Sequence, residues 1–281
     1  MNQKEQFKKV RLFSSIFAKS KKRIIAKLLS SETYTLLEKE RILREIDEEL
    51  KKLSEQSDSW FNTNLKGAYK EGSSDVFGYL QKLGVKKMIY NKYDVESIEN
   101  LVGNSKMLMN EAISGIHRSS SNVLSKHTKA KLQAVIAEGR VERQTLKEIT
   151  NSLVKEISKS EVYLLDSHGR RWDIEKYSEL FARTEMMNTY DQGSINQMLH
   201  RGLDLAYVTS YASCKCDICQ AWEGKVLSLT GKTEGYPTLD DAYADGLFHP
   251  NCKHRTRPYY EEPEGLKGLI ALPDEKLLQT L

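Results

Sequence analysis

Six side chains able to hold a soft or borderline metal ion fall in two short segments of the sequence. The first runs Cys214-Lys215-Cys216-Asp217-Ile218-Cys219 and the second His249-Pro250-Asn251-Cys252-Lys253-His254. All four cysteines of the chain and two of its six histidines are among them. The spacing of Cys216 and Cys219 lets two thiolates grip one tetrahedral ion from a tight knuckle, and His249 with Cys252 can close the other half from a second loop. Cys216, Cys219, His249 and Cys252 are therefore the expected ligands of a zinc ion. Cys214 and His254 are alternatives: Cys214 lies just before Cys216, and His254 can replace His249 by closing from the far side of Cys252. Four protein ligands leave no open position for water, so the Zn2+ is expected to be structural and not catalytic. The 29 residues between Cys219 and His249 (220–248) exceed a compact finger, yet closing a loop of that length adds little entropic cost. Buried or free thiols without metal are the competing reading, disfavoured by the clustering. A thioredoxin-like redox pair is weaker still, because no βαβ pattern surrounds Cys216.

These loops need a framework, and the sequence changes character near residue 160 to supply one. Val162–Leu165 and Arg170–Ile174 flank the turn-rich Asp166–Gly169, which reads as a β-hairpin. Tyr177, Leu180, Phe181, Thr184, Met187 and Asn188 then follow helical spacing, and Leu203–Ser210 alternates as a strand does. Within that helix Thr184 lies on the apolar stripe, with Arg183 and Glu185 on its flanks. A catalytic role for Glu185 would need a second acid, base or nucleophile that the sequence does not place beside it. Structural hydrogen bonding is the favoured reading.

Upstream, Leu36, Leu43, Ile46, Leu50 and Leu53 mark an amphipathic helix, and Tyr69, Val76, Phe77, Leu80 and Leu83 continue helical spacing until Gly84. Gly103-Asn104-Ser105 and Ser119-Ser120-Ser121 read as turns or a linker. Leu132, Val135 and Ile136 resume a helix that Gly139 can end, and Thr145 with Glu148 has the spacing of a capping box at the start of the next. The expected fold class is α+β and mainly helical: an elongated helical N-terminal region, then a small mixed α+β C-terminal module stapled by zinc. The expected divisions are 1–120 for partner docking, 121–160 for connecting helices, 161–262 for the module and 263–281 for a tail.

Composition narrows the classes. The 281 residues are 39% hydrophobic and 29% charged with a formal charge of +4, which excludes a wholly disordered chain. No apolar run reaches the roughly 18 residues that span a bilayer, and no small-residue cleavage site follows an apolar segment, so no membrane partner and a reducing compartment are expected. Charge is polarised: the first thirty residues hold Lys4, Lys8, Lys9, Arg11, Lys19, Lys21, Lys22, Arg23 and Lys27 against Glu5, nine minus one or about +8. A solvated basic helix face is the first reading. Contact of Lys19, Lys21, Lys22 and Arg23 with DNA or an acidic partner is the second.

Several motifs succeed one another across residues 130–262: Asp166–Trp172, Tyr177 through Arg183-Thr184-Glu185, Gly202–Leu205, Trp222–Leu229 and Gly246–Arg255. Together they resemble the phage minor capsid protein 2 family, within the broader Mu protein F-like group of phage head morphogenesis proteins. The helical N-terminal half is similar to that group in character only. The resemblance implies a minor head protein of the virion, present in few copies inside the capsid near the portal, and in the host cytoplasm during assembly. Its implied partners are the portal protein, capsid and scaffold proteins and, non-specifically, phage DNA; it does not imply an enzyme. A C-x2-C and an H-P-x-C motif recur in the broader group and map onto Cys216, Cys219, His249 and Cys252, whereas minor capsid protein 2 relatives often lack the first cysteine pair. Two alternatives stand from other classes. One is a zinc-dependent hydrolase or nuclease acting on DNA ends, with His249 or His254 and Glu223 or Glu185 about an open metal position. The other is a DNA-binding zinc protein acting outside a virion.

Overall fold

The computed structural model describes residues 3–30, 35–124 and 162–259, except Ser167 and 212–214, together with scattered positions between 134 and 152. Three long helices dominate its first half: α1 (Gln3–Leu29), α2 (Leu36–Gln81) and α3 (Lys92–Val123). A two-stranded hairpin follows, β1 (Leu164–Leu165) with β2 (Arg171–Trp172), and then α4 (Ile174–Leu199). The remainder is β3 (Leu205–Val208), α5 (Asp217–Trp222), β4 (Val226–Ser228), α6 (Leu239–Ala244) and β5 (Thr256–Pro258). The protein is thus mainly helical with a small strand-containing C-terminal part.

The chain forms two compact units, each discontinuous in sequence. One comprises Phe7–Asn62 and Gly103–Ala182, the other Met1–Gln6, Thr63–Val102 and Arg183–Leu281. In the first, Val10, Phe13, Phe17, Ile24 and Leu28 recur at spacings of three, four and seven residues along one face of α1 and are all buried. Phe13 is the hub of an aromatic cluster, with ring centroids 4.9 Å from Phe17, 4.6 Å from Trp60 and 5.2 Å from Phe61. The expected hairpin is present and antiparallel, with Leu164 opposite Trp172. Its turn is organised by Asp166, whose carboxylate accepts from the N–H groups of His168 (3.0 Å) and Arg170 (2.8 Å), from Arg170 Nε (2.6 Å) and from Trp172 Nε1 (2.9 Å). Those donors hold the Asp166 carboxyl far below the ordinary carboxylate range against the opposing effect of desolvation. Asp173 then caps α4, accepting from the Glu175 and Lys176 N–H groups, while its other oxygen takes Lys21 Nζ at 2.7 Å.

The turns expected at Gly103–Ser105 and Ser119–Ser121 are absent: both triplets lie inside α3. Ser119 and Ser120 are fully buried, and the Ser119 hydroxyl donates to the Ile116 carbonyl at 2.9 Å, so the helix satisfies it without breaking. The capping box at Thr145 and Glu148 is formed, with Thr145 N–H to Glu148 Oε2 at 2.7 Å and Glu148 N–H to Thr145 Oγ1 at 3.3 Å. Of the helix expected about Leu132, Val135 and Ile136, Val135 is helical, while Leu132, Ile136 and the expected end at Gly139 lie outside the described residues.

In the second unit α2 crosses α4 at backbone contact. A Cβ on Gly72 would stand 2.0 Å from the Tyr190 carbonyl oxygen, and one on Gly193 2.2 Å from that of Tyr69. The flanking serines close the crossing reciprocally: Ser73 Oγ donates to the Gly193 carbonyl (3.0 Å) and Ser194 Oγ to that of Gly72 (3.2 Å). Beside it Tyr69 donates to Asp94 Oδ1 (2.7 Å), His200 Nε2 meets Asp94 Oδ2 (2.8 Å), and Asn196 Nδ2 donates to Tyr69 (2.6 Å) and Ser97 (3.1 Å). Gly84 ends α2 as expected, in the left-handed conformation (φ 94°). The strand expected over Leu203–Ser210 is β3, the centre of an antiparallel sheet ordered β4-β3-β5. Its buried Ala206 joins Val76, Leu80, Ile195 and Met198; Val208, on the same face, joins Cys219, Trp222, Leu227, Ala242 and Leu247. That second cluster carries the cysteines.

Candidate metal centre

Cys216 is the N-cap residue of the short α5, and Cys219 lies one turn on, fully buried. The helical step puts both thiols on one side of the turn. The second ligand loop leaves α6, whose start is fixed by a capping box in which Thr238 accepts from Asp241 N–H (3.0 Å) and donates its own N–H to Asp241 Oδ2 (2.8 Å). Phe248 (φ 60°) and Asn251 (φ 70°) adopt left-handed backbone on either side of His249, and Cys252 N–H closes the turn on the His249 carbonyl at 2.8 Å. Arg183 donates to Asn251 Oδ1 at 3.0 Å, so this member of the Arg183-Thr184-Glu185 triplet braces the ligand loop.

Five of the six candidate donors lie among the described residues; Cys214 falls outside them. They fall into two groups of three, Cys216–Cys219–His249 and Cys219–Cys252–His254, each with ligand atoms within 4.8 Å of one another. Cys219 is common to both. Its sulfur lies 3.8 Å from that of Cys252, which is the edge of a tetrahedron with metal–sulfur bonds of about 2.3 Å. The two histidines are held differently. His249 Nδ1 lies 2.8 Å from the Pro250 carbonyl, which fixes the proton on that nitrogen and leaves Nε2 with a lone pair; Nε2 is buried and has no hydrogen-bond partner. His254 points Nδ1 at the Cys252 sulfur (3.4 Å) and donates Nε2–H to Glu223 Oε1 (2.7 Å), which also accepts from Tyr211 N–H (2.9 Å).

Charge follows this geometry. The Cys216 thiol is drawn below its usual range by the Cys219 N–H and thiol and then by His249. Burial, and after it the neighbouring Cys216 and Cys252 sulfurs, push Cys219 up. Crowded sulfurs that cannot all ionise alone are the setting in which a divalent cation is favoured, because its charge is what lets a coordinating thiol deprotonate. His254, then Tyr211 N–H, holds the Glu223 carboxyl below the ordinary range. The donor types and the orphaned His249 nitrogen fit zinc.

Sequence reasoning missed one ionisable group here. Asp191 on α4 lines the cleft with Thr184, Met187, His249 and Arg255; its Oδ1 is buried without a partner and its Oδ2 lies 3.5 Å from Arg255 Nη1. Burial pushes its carboxyl up to about 7, with Arg255 and Arg257 opposing. An acid at a position of helical core spacing was the available signal. The basic residues of α1 also separate. Lys21 pairs with Asp173 at 2.7 Å and Arg23 with Glu49 at 2.5 Å, whereas Lys19 and Lys22 are exposed.

The family model described as phage minor capsid protein 2 matches residues 24–273. The chain belongs to the phage minor capsid protein 2 family. The match takes in α2 and α3, the last six residues of α1 and the strand-containing part, so this is a phage structural protein. A curated relative, named a structural protein of Lactococcus phage LL-H, is 27% identical over 106 residues. That alignment covers 35% of this chain and 28% of the relative, so the chain matches less than a third of that protein's length. No solved structure matches this minor capsid protein. No helix among its described residues is long and apolar enough to cross a membrane.

Proposed function

We propose that this minor capsid protein acts in head morphogenesis from inside the capsid, beside the portal, with capsid and scaffold proteins as further partners and the packaged DNA as a non-specific one. The observation that carries the reading is the family match over residues 24–273. Its role is binding: the long helices supply docking surface, and the C-terminal part is a module stapled by one structural zinc. Cys216, Cys219, His249 and Cys252 hold the ion, and His254, oriented by Glu223, stands beside Cys252 with its Nδ1 lone pair as the alternative ligand. When bound, the zinc supplies a fixed cross-link between α5 and the His249–Cys252 turn. The hydrolase alternative is disfavoured at Glu223, one of its two candidate carboxylates, because that residue is engaged by both His254 and Tyr211.

Cross-linking mass spectrometry on purified heads tests the placement. Cross-links from this chain to the portal protein are expected; a chain present in heads and linked only to the outer capsid face overturns it. Elemental analysis of protein purified without chelator is expected to give close to one zinc per chain, and a metal-free folded protein overturns the staple.

A further inference from the structure

The structure sorts seven of the nine basic residues of α1 into two sets. Lys21, Arg23 and Lys27 are bound within the fold, to Asp173, Glu49 and Glu45. Lys8, Arg11, Lys19 and Lys22 are exposed and have no acidic partner among the described residues. At 100° per residue, these four fall within about 80° of the helix circumference, opposite the buried Phe13 and Phe17. They span fourteen positions, about 21 Å at 1.5 Å per residue. Over that length a DNA duplex offers about 12 phosphate charges.

We infer that this solvent face of α1 binds the phosphate backbone of duplex DNA without regard to sequence, through Lys8, Arg11, Lys19 and Lys22. Three of the four are lysines, point charges on flexible stems that can follow a row of phosphates without a fixed geometry. Between Lys8 and Lys22 the exposed side chains are otherwise only Leu12, and no Asn or Gln is present to read a base edge. The assignment rests on the head-protein reading for the presence of DNA, while the binding itself is a property of the isolated chain.

The test is fluorescence anisotropy with a labelled 30-base-pair duplex of arbitrary sequence, between 50 and 200 mM KCl. Four contacts give a salt exponent of about 3.6, so affinity is expected to fall on the order of 100-fold across that range. The variant K8Q/R11Q/K19Q/K22Q is expected to bind more than tenfold more weakly at 50 mM and to lose most of the salt dependence. Its charge-matched control, K51Q/K52Q/K66Q/K70Q, removes exposed lysines of α2 and is expected to stay within about threefold of the parent. Circular dichroism confirms that both remain helical. Equal loss in the two variants makes net charge the cause and overturns the assignment, as does undetectable binding by the parent. Unchanged DNA binding with failed incorporation into heads also overturns it, in favour of an acidic protein partner. Absence of the parent chain from purified heads would count against the head-protein reading alone.

Discussion

Asp191 is a residue whose charge the fold disfavours. Its carboxyl titrates near 3.8 in the unfolded chain and about 7 in the fold, because burial outweighs Arg255 and Arg257. The folded state therefore holds the proton more tightly. The stability this group contributes is present in full below about pH 4 and is lost as pH rises through 7. Asp191→Asn is expected to leave the melting temperature unchanged near pH 4 and to raise it relative to the parent by pH 8, by about 2–4 °C for each kcal/mol recovered. A relative loss at pH 8 would mean that Arg255 stabilises the charge. At the proposed zinc site, His249→Ala is expected to abolish stoichiometric zinc, and His254→Ala to retain it with weakened affinity, about 10–100-fold as for other outer partners of metal ligands. Zinc retained by His249→Ala and lost by His254→Ala would exchange the two roles. The candidate ligands were legible because cysteine and histidine are scarce and sit close in sequence. The difference between the two histidines was not, since it depends on Pro250 and Glu223, whose contacts arise only once β3 and β5 bring their loops together.

Among the elements, the α2–α4 crossing makes the most stringent demand on sequence. Gly72→Ala or Gly193→Ala places a methyl group against a backbone carbonyl, so the helices must move apart and the reciprocal serine bonds lengthen. Each is expected to destabilise by about 3 kcal/mol or more, read as a lowered urea midpoint. In the same helix Gly67 has nothing within 4 Å of an added Cβ, and Gly67→Ala is expected to stabilise by about 0.5–1 kcal/mol. Periodicity revealed that α2 and α4 are helices, through Val76, Leu80, Phe181 and Met187. It gave no hint that two glycines mark a contact, because what excludes a Cβ belongs to the other helix. The same limit explains α3. Ser119 and Ser120 carry turn-forming side chains, and only the burial imposed by tertiary packing turns them into interior helix residues.

At the scale of the whole molecule, the units are assembled from segments far apart in the chain. A fragment ending at Ala182 keeps every segment of the unit built from Phe7–Asn62 and Gly103–Ala182 but lacks the part of α4 that covers Tyr69, Gly72 and Ser73. Hydrogen exchange of that fragment is expected to show protected amides in 7–62 and rapid exchange in 63–102; protection in both would mean that the second half of α2 needs no partner. Local patterns were silent on this division, since the boundaries fall inside α1, α2, α3 and α4, where the apolar stripes continue unbroken.

The crossing also sets a schedule for synthesis. Ser73 and its acceptor Gly193 are 120 residues apart, so the first has left the ribosome long before the second is made. At about 5–20 residues per second the interval is roughly 6–24 s. During it the glycine-bearing face of α2 lies open on a nascent chain that will be used in a crowded assembly line. Slowing translation downstream of α2 should therefore lower the yield of native protein more than slowing it after α4 is complete.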